Sequence, residues 1–204
     1  MNLETYVFSK QPGFVEAEMR KVFKRAVPLR TVVVYCYDPR AVNIPHAVAK
    51  AIPGEVYPGE IVWDQQGKKV ASTTTIFPVV VAGGRAVDAL RSITVAQHLF
   101  GIENIVVVHH TYCGATSFSP EGLVQAFHRE QGEDISALYD PANVAIADYQ
   151  SSLKHDTRLL RESKGTPKHV NIYGYLFNID TETLEPIVED RASSSTGRDD
   201  SEVA

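Results

Sequence analysis

The chain has only two cysteines, no apolar run long enough to cross a bilayer, and no block dense in lysine and arginine. Each shortage excludes something. Two cysteines in 204 residues cannot build the disulfide framework of a small secreted protein. In a reducing compartment, a pair that meets in space is better suited to metal binding or redox chemistry. A membrane-spanning helix needs about 20 consecutive apolar residues, so no membrane partner is expected. A net charge of −5 without a basic stripe argues against nucleic acid. The short KVFKR run from Lys21 to Arg25 reads as a solvated helix face. The first residues, MNLETYVFSKQPGF, show neither the basic start nor the apolar middle of a secretory signal. A cytoplasmic location is therefore expected.

What is present is the makeup of an ordinary globular protein, 44% hydrophobic and 22% charged, at a length one domain accommodates. We expect one α/β domain over residues 1–190. The tail over 191–204, RASSSTGRDDSEVA, is polar and aperiodic and is expected to be disordered. Three β-branched runs read as buried parallel strands: TVVVYC (Thr31 to Cys36), FPVVVA (Phe77 to Ala82) and NIVVVHH (Asn104 to His110). They are apolar at consecutive positions, as strands covered on both faces must be. Between the second and third, Ala89, Ile93, Ala96 and Phe100 recur at helical spacing, and Gly101 follows as a stop. Ser119-Pro120 and Asp140-Pro141 each put a capping side chain before a proline, predicting helices near 120–130 and 141–163. Lys168 to Phe177 and Leu184 to Val188 read as a closing strand pair. Alternating strands and helices make an α/β fold with a mostly parallel sheet flanked by helices. Such folds place chemistry beyond the carboxyl ends of their strands.

That rule gives the cysteines meaning. Cys36 ends the first strand and Cys113 lies just past the third, so both reach one rim although 77 positions separate them. The two rim segments read Cys36-Tyr37-Asp38-Pro39-Arg40 and His110-Thr111-Tyr112-Cys113-Gly114. Two thiolates and one imidazole make a three-ligand zinc set that leaves a fourth tetrahedral position open, which distinguishes catalytic from closed structural sites. Water held there has its pKa lowered to about 7 in favourable cases. With two anionic sulfurs on the metal it sits somewhat higher, so activity should rise with pH. Asp38 is near enough to compete for the open position. Arg40 can hold it back through a charge-assisted pair, leaving Asp38 to orient the nucleophile.

Taken singly, these residues have blander readings. A lone Cys36 is more often a small buried apolar residue, and Asp38 with Arg40 is an ordinary loop ion pair. His109 faces away from His110 along the strand and reads as structural. The AGGRA run lacks the full G-x-G-x-x-G spacing of a phosphate cradle. Gly83 and Gly84 are better read as allowing close backbone approach to a pocket, where an amide N–H can meet a developing oxyanion.

In combination, C-x-D-x-R at the end of a first strand and H-x-x-C-G after a later one resemble the β-class carbonic anhydrases. The stretch AGGRAVDALRSITVAQHLFGIENIVVVHHTYCG and the closing IYGYLFNIDTETLEPI are similar to the same family, over roughly Val32 to Val188. The resemblance implies one Zn2+ per chain on Cys36, His110 and Cys113, with Asp38 and Arg40 as the catalytic pair. It implies a Rossmann-like sheet, an N-terminal helical arm, and a homodimer or higher oligomer with each site near the subunit boundary. It also implies hydration of a small gaseous linear cumulene, carbon dioxide first. Carbonyl sulfide or carbon disulfide hydrolysis with release of hydrogen sulfide is the alternative. A non-catalytic zinc-stabilised anion-binding module, with Asp38 closing the metal, is a third. The substrate pocket is placed against Val81, Gly83 and Gly114. Three features depart from the family pattern. Val80-Val81 stand where the family has Arg-Asn, Tyr112 where close relatives have Asp, and the segment from Ile52 to Ile76 matches poorly. An apolar wall at Val80 and Val81 disfavours a sulfur-ended substrate less than a polar one. Tyr112 either reshapes the pocket or packs at an interface.

Overall fold

The computed structural model describes residues 2–192. In chain order the elements are α1 (Glu16–Ala26), β1 (Thr31–Cys36), α2 (Ile44–Ala51), β2 (Ile61–Trp63), β3 (Lys69–Ser72), β4 (Ile76–Val81), α3 (Leu90–Phe100), β5 (Asn104–His110), α4 (Pro120–Gln131), α5 (Pro141–Val144), α6 (Tyr149–Glu162), β6 (Asn171–Asn178) and β7 (Thr183–Asp190). Five strands form one sheet in the order β4-β1-β5-β6-β7. The first four are parallel, and only the closing β6–β7 pair is antiparallel. This is the mostly parallel α/β sheet that the strand-helix alternation predicts. No helix among the described residues is long and apolar enough to cross a membrane.

Strand geometry explains why the central runs are apolar at every position. Successive side chains point to opposite faces, and both faces of β1 and β5 are covered. Val32, Val34, Ile105 and Val107 pack on one side with Ile93 and Ala96 of α3 and Leu153 and Leu160 of α6. Val33, Tyr35, Val106 and Val108 pack on the other with Ile44 and Val48 of α2. Each fully buried valine or isoleucine contributes about 1.5–3 kcal/mol, so β1 and β5, buried at every position, are the most firmly held strands. They are also the two that carry Cys36 and His110.

Helix punctuation follows the sequence at most ends. Gly101 takes the left-handed conformation that stops α3. Ser119 accepts a hydrogen bond from Gly122 N ahead of α4, and Asp140 from Ala142 N ahead of α5. The helix expected over 141–163 is instead broken. α5 ends at Val144, the chain runs extended through Ala145, and α6 begins after Asp148, whose carboxylate accepts from Ser151 N. The break has a physical cause. The Arg85 guanidinium takes the carbonyls of Ala142 and Ala145, which a continuous helix would have used for its own ladder. β4 spans Ile76–Val81, one residue earlier than the expected run, and β6 and β7 reach Asn178 and Asp190. The β2–β3 hairpin lies within the segment from Ile52 to Ile76. Ala192 N donates to Asn171, while residues 193–204, most of the expected disordered tail, lie outside the described residues.

Candidate metal centre

Parallel register brings the strand ends that carry the candidate ligands to one rim. Tyr35 is level with Val108, so Cys36 at the end of β1 stands beside the last turn of β5, where His109 and His110 follow. The chain then turns at Thr111, whose amide bonds Phe177 O, and Tyr112 adopts a left-handed φ of 55°, delivering Cys113 back toward Cys36. The gap between β1 and β5 is closed by Gly84. At its φ of +68°, a Cβ would lie 2.8 Å from Val108 O and 3.1 Å from Cys36 N, so only glycine fits.

The result is a compact donor set. Cys36 Sγ and Cys113 Sγ are 3.9 Å apart, and with a ring nitrogen of His110 all three donors lie within 4.8 Å of one another. Zinc–sulfur bonds of about 2.3 Å at a tetrahedral angle place two sulfurs roughly 3.8 Å apart, so the spacing suits one ion. The imidazole is aimed correctly. His110 Nδ1 lies 2.9 Å from Thr111 O, which fixes the proton on Nδ1 and leaves Nε2 as a lone-pair donor. Nε2 is buried and has no hydrogen-bond partner among the described residues, an orphan that a metal ion would satisfy. Cys113 Sγ points at Cys36 Sγ as a donor. The hydrogen bond from Cys113 holds Cys36 below the usual thiol range, and the same contact pushes Cys113 up. Burial pulls His110 down, but the neighbouring Cys36 sulfur, Thr111 O and Asp38 together outweigh it and leave it above its ordinary value.

Asp38 is held beside this set. Its Oδ1 accepts from Arg40 N and Nε at 3.0 Å each, and its Oδ2 from Arg40 Nη2 at 2.7 Å. The guanidinium pair holds the Asp38 carboxyl well below the usual carboxylate range. Arg40 Nη2 also donates to Tyr112 O, so the left-handed turn that returns Cys113 also anchors the arginine. Asp38 Oδ2 lies 4.0 Å from His110 Nε2. The carboxylate therefore borders the ligand set while both of its oxygens are engaged by Arg40.

The remaining expected site residues are placed as follows. Gly83 is buried, and a Cβ on it would meet Ala115 Cβ at 3.0 Å and Ile146 Cδ1 at 3.5 Å. Gly114 is open, and a Cβ added there would meet nothing within 4 Å. Val81 packs against the α3/α6 core cluster, whereas Val80 is exposed. Tyr112 is 73% exposed, which leaves its side chain free to pack at an interface. His109 is fully buried and pairs with Ser152 Oγ at 2.9 Å; burial lowers its pKa to about 4.

No family model matches the chain. Among curated proteins, β-carbonic anhydrase 1 of Mycobacterium bovis is 28% identical over 102 residues, 49% of this chain and 59% of that protein. Among solved structures, the carbonic anhydrase of Streptococcus mutans matches with a TM-score of 0.58 over 91% of this chain and 93% of that one, at 22% identity. The chain resembles the β-carbonic anhydrases in sequence and has their fold. The carbon disulfide hydrolase of Acidithiobacillus thiooxidans is similar at 29% identity over 121 residues, 52% of this chain and 60% of that protein. The chain thus spans 59% and 60% of the length of these two curated relatives.

On this β-carbonic anhydrase frame the sequence reading missed one wall of the centre. Ile146, from the extended link before α6, packs with Cys36 and Cys113, and Ala115 and Tyr149 join the same cluster. Ile146 N donates to Ala115 O at 2.9 Å. Nothing near Ile146 in the sequence signals this, because the link exists only where α5 and α6 part.

Proposed function

We propose that the chain is a zinc-dependent enzyme that adds water to a small linear cumulene, with carbon dioxide as the first substrate and bicarbonate as the product. The observation that carries the reading is the buried pair of sulfurs 3.9 Å apart facing an unpartnered His110 Nε2, with an arginine-held carboxylate at 4.0 Å. Cys36, His110 and Cys113 would hold the ion, one per chain. Bound zinc supplies Lewis acidity that lowers the pKa of a coordinated water. Asp38, kept ionised by Arg40, would accept a hydrogen bond from the attacking water and orient it toward the central carbon. Arg40, which engages both Asp38 oxygens, would keep the carboxylate from binding the ion. The Gly83 backbone lies against the same cluster, with Ala115 and Ile146 packed close upon it. The exposed Leu3, Tyr6 and Phe8 of the N-terminal arm support a homodimer.

Carbon disulfide or carbonyl sulfide is the second reading. It is favoured by the similarity to a carbon disulfide hydrolase and by the apolar Ile146 and Ala115 beside the sulfurs, which suit a weakly hydrogen-bonding sulfur end. Parallel assays decide the order: bicarbonate formation from carbon dioxide, and hydrogen sulfide release from the two sulfur substrates. Carbon dioxide turnover is expected to lead. Rapid sulfide release with no carbon dioxide turnover would reverse the order, and failure on all three substrates with zinc bound would favour a non-catalytic module.

A further inference from the structure

Arg85 and Asp156 form a buried ion pair outside the ligand set, with side chains 3% and 0% exposed. Arg85 Nε and Nη2 each reach Asp156 at 3.0 Å, and Asp156 also accepts from Ala86 N. The rest of the guanidinium goes elsewhere: Nη1 donates to Ala145 O at 2.7 Å and Nη2 to Ala142 O at 2.9 Å. One side chain therefore ties three segments together, the glycine turn after β4, the link after α5, and α6. A simple core pair would not need this. Buried charges are costly to desolvate, and an apolar pair of similar volume is often as stable. What the arginine adds is a fork that can grip two carbonyls at once in fixed directions. Of the gripped carbonyls, Ala142 O lies in α5 and Ala145 O immediately precedes Ile146, whose side chain packs in one cluster with Cys36 and Cys113.

We propose that Arg85, oriented by Asp156, is a positioning residue that latches the Ala142–Ile146 link, so that Ile146 stands as the apolar wall over Cys36 and Cys113 and limits water at their sulfurs. The latch works through backbone. Arg85 touches neither sulfur, and its effect reaches them only through where it places Ile146. The inference rests on the proposed metal centre for its significance, but its geometry concerns the cysteines whether or not they hold an ion.

The test therefore uses thiol access as well as metal release. In chelator-treated full-length protein, alkylation of Cys36 and Cys113 by iodoacetamide is followed by mass spectrometry for wild type, Arg85→Lys, Ile146→Ala and the double variant. In the cobalt-loaded protein, release to a chelator is followed from the visible spectrum. Lysine cannot span both carbonyls and the carboxylate, and the lost charged hydrogen bond shifts a local opening by roughly tenfold. Arg85→Lys and Ile146→Ala are each expected to accelerate alkylation by that factor, and the double variant no further, because both remove one wall. The paired Arg85→Met, Asp156→Leu replacement leaves no unpaired buried charge. It keeps the measurement available if Arg85→Lys does not fold, and it should expose the thiols equally. Wild-type alkylation rates in both Arg85 variants, or independent multiplication of the Arg85 and Ile146 effects, would overturn the latch. Absence of cobalt binding with the expected alkylation pattern would instead refute the metal centre and leave the latch standing.

Discussion

Gly84→Ala should damage fold and metal centre together. The position has φ +68°, and an added Cβ would lie 2.8 Å from Val108 O, 3.1 Å from Cys36 N and 3.1 Å from Tyr35 Cα. A left-handed non-glycine residue costs about 1–2 kcal/mol. Forcing a methyl against backbone atoms that cannot rotate away adds about 1–3 kcal/mol. At roughly 2–4 °C per kcal/mol for a chain of this size, a loss near 3 kcal/mol lowers the unfolding midpoint by about 6–12 °C. Relief requires β1 and β5 to separate where Cys36 and His110 end them, so zinc content should fall as well. The comparison is Gly114→Ala, where a Cβ meets nothing within 4 Å and stability should change by less than about 0.5 kcal/mol. Differential scanning calorimetry and metal analysis on both variants suffice. A Gly84→Ala protein that melts like Gly114→Ala and keeps its zinc would show that the strands do not approach as described.

Other consequences are separable by assay. Asp38→Ala should keep zinc and lose turnover by roughly 100-fold, because the attacking oxygen is no longer oriented; zinc loss without any activity to lose would count for the module reading. Arg40→Ala frees Asp38 to take the fourth metal position, so turnover should fall while zinc is held at least as tightly, as measured by competition with a chromogenic chelator. His109 is buried neutral, with its pKa lowered from 6.5 to about 4 by burial first. The unfolded chain therefore binds the extra proton between those values, and stability is full above pH 6.5 and lost as pH falls toward 4, by up to about 3 kcal/mol. Urea unfolding of the metal-free protein across that window should show the loss, and His109→Asn should flatten it.

The parts of the centre that sit at the ends of long strands were legible in the sequence. Cys36 and His110 close runs whose β-branched, apolar character can only be central sheet, and a parallel sheet sends both ends to one rim. Asp38 and Arg40 follow within four residues of Cys36, so local spacing was enough to pair them. What depended on distant backbone was not legible. The break between α5 and α6 is made by Arg85, some 57 positions from the carbonyl of Ala142 it takes, and no local propensity announces it. Ile146 became a wall only through that break. The short β2 and β3, of three and four residues with mostly exposed side chains, carry too little periodicity to be read. The left-handed φ of Tyr112, which returns Cys113 to the site, carries no local sequence signal either, since left-handed backbone is ordinarily the province of glycine.

The most direct measurement is zinc K-edge X-ray absorption of the purified protein. Two sulfur scatterers at about 2.3 Å with two nitrogen or oxygen scatterers at about 2.0–2.1 Å, reduced to one sulfur in Cys36→Ser, is the predicted shell. A folded wild-type protein without zinc, or a zinc shell lacking two sulfurs, would contradict the shared site.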